Sequence, residues 1–205
     1  RRRIRVGVWL RRVHKKLSAG DKTVARGSGY SQLPNLGFTT GARLMNLHTD
    51  ASGAVAAARN IAPLLAETSK HSEAARQVDR RAVAALREAG LSRIMKPLGH
   101  GGAQLSLRAQ IQSCIETARA DSASSWLMMV CGAHDFVLGG FPEDCLQEVF
   151  KDNPDVLIAG TLAPQGKVTR APGGWMLEGR WQFCSGVDHS PWLMFGALQA
   201  DADTD

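Results

Sequence analysis

No cysteine pair in this chain of 205 residues is spaced as CxxC. Cys114, Cys131, Cys145 and Cys184 therefore read as reduced thiols serving as small hydrophobes, and no metal site is expected. Apolar runs approaching the roughly 18 residues of a membrane span are also missing, so no membrane partner is expected. The N-terminus has no continuous apolar segment followed by a small-residue cleavage site, which argues against a signal peptide and leaves a cytoplasmic location as the default. Acidic residues are almost absent from residues 1–44, where eleven Lys/Arg face Asp21 alone, a net of +10. Residues 45–205 carry fourteen Lys/Arg against eighteen Asp/Glu, a net of −4, and the two parts sum to +6. A nucleic-acid reading would have to rest on the basic segment. Aromatics that could stack on bases are lacking there, since Trp9 is the only one before Tyr30, so no nucleic-acid partner is expected. No internal repeat is visible.

What is present changes along the chain. Residues 1–44 mix Arg/Lys clusters with Gly, Ser and Thr, and are expected to be disordered or a non-native extension. Ile4, Val6, Val8 and Leu10 alternate briefly, a weak strand signal. Met45 opens a different composition and reads as the natural start. Residues 51–76 are rich in Ala, Leu and Glu and predict a helix, with Pro63 near a break or a first turn. Asp79 caps a second helix over 80–89, which Gly90 stops. Ser106 caps a third, in which Leu107, Ile111, Cys114, Ile115 and Ala118 recur as a buried stripe should. Asp121 caps a fourth from Ser122 to about Leu138, apolar nearly all round and so expected to be a central helix covered on several sides. Pro142 opens a short fifth helix ending near Phe150.

At Asn153-Pro-Asp155 the pattern shifts to short apolar runs between turns. Strands are predicted over 156–162, 167–170, 175–178 and 191–198, with a tight turn at 172–174. The fold class is α+β: a helical domain over 45–152, then an incomplete middle β domain over 153–205, read as antiparallel. So few strands leave edges and a face uncovered, and the sequence reads as truncated.

The stretch Gly179 to Trp192 concentrates the chemistry, with two Trp residues, a Phe, Cys184-Ser-Gly186 and Asp188-His189. Flat apolar faces beside small hydroxyl donors suit a planar heteroaromatic ligand with a polar edge. A β-strand with inward aromatics and a polar turn after it suits the same composition. His134 lies inside the apolar run of the fourth helix, and spacing alone favours a core or boundary histidine with one satisfied nitrogen.

Several segments together carry a resemblance. They are Val83-Ala-Ala-Leu-Arg-Glu-Ala-Gly-Leu91, Pro97-Leu-Gly-His-Gly-Gly102, Ala120-Asp-Ser-Ala-Ser-Ser-Trp126, Gly132-Ala-His-Asp-Phe136, Ile158-Ala-Gly-Thr-Leu-Ala-Pro164 and Cys184-Ser-Gly-Val-Asp-His189. Over residues 72–198 the chain resembles the N-terminal half of acyl-CoA dehydrogenase-fold flavin-dependent monooxygenases. More narrowly it resembles the oxygenase component of two-component aromatic hydroxylases, of the 4-hydroxyphenylacetate 3-hydroxylase and secosteroid phenol hydroxylase type. The first two segments also occur in ordinary acyl-CoA dehydrogenases. The helical Gly-x-His and the Ser-Gly-x-Asp-His piece point to the hydroxylase branch.

The resemblance implies a helical domain, a β-barrel-like domain and a C-terminal helical bundle that builds a homotetramer, the bundle being missing here. It implies reduced FMN or FAD as cofactor, a flavin reductase as partner, and O2 with a small phenolic substrate. The reaction would proceed through a flavin C4a-hydroperoxide, which lasts while water is excluded and the N5 hydrogen is held. Ser185 would sit at the flavin N5, while Thr161, Leu162 and Ala163 line its pyrimidine edge. Trp181, Phe183 and Cys184 would pack near the ring system. His134 would face the substrate phenol from its helix, and Trp126 would help to enclose that pocket. Asp188 and His189 receive no role beyond a structural turn. An acyl-CoA dehydrogenase-type oxidoreductase shares the fold, and an inactive fragment of the hydroxylase is a further alternative.

Overall fold

The computed structural model describes residues 4–12, 23–25, 50–172 and 174–200. Five helices precede most of the sheet: α1 (Ala51–Ala75), α2 (Arg80–Glu88), α3 (Leu107–Ala118), α4 (Ser122–Leu138) and α5 (Glu143–Phe150). Each of the first four starts at a side chain that accepts from an orphan backbone N–H. Asp50 takes Gly53 N at 2.8 Å, Asp79 takes Arg81 N at 2.7 Å, Ser106 takes Ala109 N at 3.4 Å, and Asp121 takes Ala123 N and Ser124 N at 3.2 and 3.1 Å. Gly90, at φ 70°, ends the α2 region in the left-handed conformation that glycine adopts without a Cβ clash. Pro63 was expected near a break, yet α1 runs through it unbroken. None of the described helices is long and apolar enough to cross a membrane.

Two further departures concern which helix faces are covered. The expected buried stripe of α3 is only partly buried. Cys114 is covered, but Leu107, Ile111, Ile115 and Ala118 are exposed, Leu107 by 54%. The face that packs instead is made of Ala109, Gln110, Ser113, Cys114 and Thr117. Small side chains let α3 approach its neighbours closely, and several polar atoms find partners, while Gln110 Oε1 and Ser113 Oγ are buried without one. Gln110 Nε2 donates to Met128 O at 3.0 Å, Ser125 Oγ to Cys114 O at 2.8 Å, and Thr117 Oγ1 to Ser113 O at 3.2 Å. Helix α4 is central but not covered all round. Leu127, Met128, Cys131 and Leu138 are buried, while Trp126, Ala133 and Phe136 leave one apolar face exposed.

Beyond α5 the chain enters a five-stranded sheet of β1 (Ile4–Arg12), β2 (Thr23–Ala25), β3 (Ile158–Ala171), β4 (Gly174–Gly179) and β5 (Trp192–Ala200), in the order β1-β5-β3-β4-β2. The basic N-terminal segment, expected to lack order, contributes two of these strands, and the first covers the Ile4–Leu10 alternation. The remainder of that segment, including Met45, lies outside the described residues, as do the middle of the predicted 172–174 turn and the end of the chain. The strands expected over 156–162 and 167–170 are one strand, β3. Its register against β5 shifts between Thr161 and Gly166, where Pro164 has no N–H to give to a ladder. The pairing is mixed. β1–β5, β2–β4 and β3–β4 are antiparallel, but β5 runs parallel to β3. The physical cause is the return loop over 180–191, which carries the chain from the end of β4 back beside the start of β3.

Two apolar cores hold these layers together. One joins Ala54 and Ala58 of α1 to Leu86, Leu91, Ile94, Ala109 and Met128. The other joins Leu138 and α5 to Val156, Ile158, Trp192 and Met194. Helix α4 contributes to both, so it couples the helical layer to the start of β3.

Candidate functional site

The 179–192 stretch divides into covered and uncovered parts. Trp192 is a core residue. Trp181 is half-buried: its indole donates to Gly196 O at 2.7 Å, and its ring stacks on Phe195 with centroids 4.4 Å apart. Gly166 and Gly179 make room for it, because a Cβ on Gly166 would lie 2.1 Å from the Trp181 ring. The aromatics of this part therefore pack inward. Phe183 does the opposite. It is 88% exposed and holds φ at 59°, a strained value for a bulky residue.

Three hydrogen bonds tie the exposed part to the scaffold. Thr161 Oγ1 donates to Gln182 O at 2.9 Å, and Gln182 N donates to Gln165 Oε1 at 3.0 Å. Trp126 Nε1 on α4 donates to Ser185 Oγ at 3.1 Å. The turn then continues through Gly186, at φ 86°. A Cβ there would meet Leu127 Cδ1 at 2.8 Å, so the turn lies directly on α4. The cleft beside this contact has a volume of about 590 Å³, and Trp126, Ser185, Asp188, His189, Asp121 and Arg76 are among its lining residues.

The structure brings together some of the sequence-derived candidates. Trp126 and Ser185 touch, and Thr161 is bound to the same stretch through Gln182. Leu162 is exposed within the β3 segment that departs from the β5 register, with Ala163 beside it. Leu162 O sits over β5, where a Cβ on Gly196 would be 2.1 Å from it. Cys184 is half-buried, and burial pushes its thiol up to about 11, so it is held neutral. His134 does not line the Ser185 cleft. It is buried, eight residues along α4 from Trp126, about 12 Å by helix rise. Its Nδ1 lies 2.8 Å from Ile158 O. Donation to that carbonyl puts the proton on Nδ1 and leaves Nε2 with a lone pair. Burial lowers the pKa of His134, and the Ile158 carbonyl pulls the other way. This is the histidine with one satisfied nitrogen that spacing favours.

Sequence reasoning missed the pair that anchors this region. Lys96 and Asp135 are both buried, with Nζ 3.7 Å from Oδ2. Lys96 Nζ also donates to Pro154 O and to Val156 O, at 2.5 and 3.2 Å, and lies 4.5 Å from the centre of the Phe150 ring. No motif marks such a lysine, because lysines are almost never fully buried. Burial pushes the Asp135 carboxyl up to about 7 against the pull of Lys96, and burial pushes Lys96 down. An acid whose folded pKa is raised holds a proton that the unfolded chain has released. Its favourable contribution is therefore largest at low pH and is lost as pH climbs through about 7. The expected result is that the melting temperature of the parent falls, relative to Asp135→Asn, as pH is raised from about 5 to about 7.5. A difference that instead stays flat over that range would show an Asp135 that is ionised throughout, without a raised pKa.

Comparison with known proteins adds lineage to this geometry. Residues 52–140 match the family model for the acyl-CoA dehydrogenase N-terminal domain. The chain is 33% identical over 138 residues to the oxygenase component of an FADH2-dependent resorcinol hydroxylase from Rhizobium sp. strain MTP-10005, covering 67% of this chain and 34% of that protein. It is 30% identical over 146 residues to the oxygenase component of p-hydroxyphenylacetate 3-hydroxylase from Acinetobacter baumannii, covering 71% and 34%. Among solved structures it superposes on XiaF from Streptomyces sp., in complex with FADH2 and glycerol, with a TM-score of 0.71 at 25% identity, covering 75% of this chain and 39% of that one. The chain thus spans about a third of the length of the two hydroxylase relatives.

Proposed function

Because residues 52–140 are an acyl-CoA dehydrogenase N-terminal domain, in a chain homologous to oxygenase components of flavin-dependent hydroxylases, we propose that this chain is the N-terminal part of such an oxygenase. It would use reduced FMN or FAD, delivered by a flavin reductase, to hydroxylate a small phenol with O2. The observation that carries the reading is the Trp126–Ser185 hydrogen bond. It fixes the Ser185 hydroxyl beside an exposed indole, two residues along the chain from the exposed, strained Phe183.

The donor set fits a flavin. Trp126, Phe183 and Leu162 offer exposed apolar surface for a flat ring. The register shift in β3 takes residues 162–165 out of the β5 ladder, which leaves backbone groups that would serve a pyrimidine edge. When bound, the reduced flavin supplies the oxygen activation and transfer. Ser185 accepts from Trp126 with one lone pair, so its second lone pair and its proton remain for the flavin N5. Trp126 and its neighbours on α4 exclude water from that side. His134 is fixed as the Nδ1–H tautomer by Ile158, so its Nε2 would be the atom that accepts or shares the phenol proton, at a position apart from the Ser185 cleft, and this would raise electron density on the ring.

Mixing the anaerobic protein with photoreduced FMN and then with O2 tests the reading directly. Flavin reoxidation many times slower than in free solution supports it. Reoxidation at the free-solution rate favours the second reading, that this chain alone does not hold flavin, which the exposed apolar faces of α3 and α4 support. With an active preparation and its reductase, Ser185→Ala is expected to divert reoxidation toward hydrogen peroxide at the expense of hydroxylated product, measured by a peroxide assay against product yield. His134→Ala is expected to slow hydroxylation by about 100-fold while flavin reoxidation changes far less. Equal coupling in both variants and the parent would remove these two residues from the site.

A further inference from the structure

Asp188 and His189 remain without a role in the flavin reading, yet they close a second cavity. It measures about 420 Å³ and lies between one face of α2 and the turn after Ser185. Arg80, Val83, Ala84 and Arg87 form the helical wall, spaced i, i+3, i+4 and i+7, so all four project from one side of α2. Asp188, His189, Ser190 and Pro191 form the other wall.

The polar groups in this cavity are unbalanced toward donors. Arg87 uses one terminal nitrogen to hold the turn, donating to His189 O at 3.3 Å. Its Nε is buried without a partner, and so is His189 Nε2. Ser190, also buried, places its hydroxyl beside the Cys131 thiol. Burial lowers the pKa of His189, against the pull of Asp188 and of the Val78 carbonyl to which the ring donates, and Arg87 and Arg80 add to the lowering; with that N–H given to Val78, Nε2 carries a lone pair. Two guanidinium groups thus face a single carboxylate, with two buried ring or guanidinium nitrogens unfilled. A buried N–H without an acceptor is costly, and Arg guanidinium is a preferred donor to phosphate oxygens.

We propose that the cavity between α2 and residues 188–191 binds a phosphate group, with Arg80 and Arg87 as its cationic ligands and His189 Nε2 as an acceptor for a phosphate hydroxyl. The phosphate takes the unmet Arg87 Nε–H, and the Asp188 carboxylate and the His189 Nε2 lone pair both favour the protonated monoanion over the dianion. The site stands on its own geometry and does not depend on flavin binding at Ser185.

Inorganic phosphate titrated into the protein by calorimetry at constant ionic strength is the first arm. One saturable site is expected, weakened about tenfold or more by Arg87→Gln and by Arg80→Gln. Arg80 is exposed and starts α2, so its variant reports on the ligand even if Arg87→Gln loosens the turn. No saturable heat, or binding that is the same in the parent and in Arg80→Gln, overturns the proposal. FMN and riboflavin form the second arm and identify the source of the phosphate. If FMN binds more tightly than riboflavin and Arg80→Gln abolishes the difference, the site takes the flavin's own phosphate. If Arg80→Gln abolishes inorganic phosphate binding and leaves the FMN–riboflavin difference intact, the site takes a separate phosphate. Phosphate binding with no affinity for either flavin would overturn the flavin reading and leave this site standing.

Discussion

At pH 8, above the raised pKa of about 7 at Asp135, Lys96→Met is expected to destabilise the fold by about 3–5 kcal/mol, the usual cost of removing one member of a buried ion pair. The variant would leave Asp135 in the interior with no cation, and two carbonyls, Pro154 O and Val156 O, without their donor. Those carbonyls belong to the linker that delivers the chain to β3, and Ile158 on β3 fixes His134. The damage should therefore spread from the loop to the candidate site. Urea unfolding followed by fluorescence measures it, as a drop in midpoint at unchanged m-value. The paired change Lys96→Met with Asp135→Leu should recover most of the loss, because the penalty lies in the unpaired charge and not in the missing attraction. A loss below about 1 kcal/mol for the single variant would mean that water reaches Asp135 and that the pair does not anchor the 154–156 linker.

Gly160→Ala is the second large effect. A Cβ at Gly160 would lie 2.2 Å from Met194 O, a backbone atom on the neighbouring strand that cannot swing aside. Gly160 pairs with Met194 in the parallel β3–β5 ladder, between Ala159 and Thr161. Fitting a methyl group would push the two strands apart where Ile158, Ala159 and Met194 are fully buried. About 3 kcal/mol is expected, at the upper end for overpacking, because the obstacle is backbone. Gly99→Ala is the matched control: nothing lies within 4 Å of its added Cβ, and a change within about 0.5 kcal/mol is expected. Similar urea midpoints for the two variants would show that β5 yields at this point.

The helices were legible because their signals are local. Asp79, Ser106 and Asp121 each precede a run of good helix formers, and a cap needs only a backbone N–H two or three residues ahead. The same holds for the strand positions and for the general placement of Ser185 after an aromatic run. The α3 stripe was misread for a physical reason. Periodicity reports that one side of a helix is apolar, but it does not say which neighbour covers that side. Here α1 and α4 chose the face of small residues, where Thr117 bonds back to Ser113 O and Gln110 Nε2 donates across to Met128 O on α4. Pro63 was misread similarly, since one lost hydrogen bond in a helix of 25 residues with a buried face is outweighed by packing.

By itself, the sequence determined the order of the five helices and of the strands that follow them, the caps that start the helices, the scarcity of acid in the first 44 residues, and the segments that resemble flavin hydroxylases. Those are properties of residues within a turn or two of one another. Only the tertiary structure decided that Trp126 reaches Ser185 across 59 positions, that Lys96 is buried against Asp135 and the 154–156 carbonyls, and that Arg80, Arg87 and His189 share a cavity. It also decided that β5 lies parallel to β3. These pairings depend on where the 180–191 loop returns the chain, and no local propensity encodes the meeting of groups that distant. Long-range contacts fix which side chains lose their water, and that loss converts an ordinary lysine, aspartate or arginine into a structural or binding group.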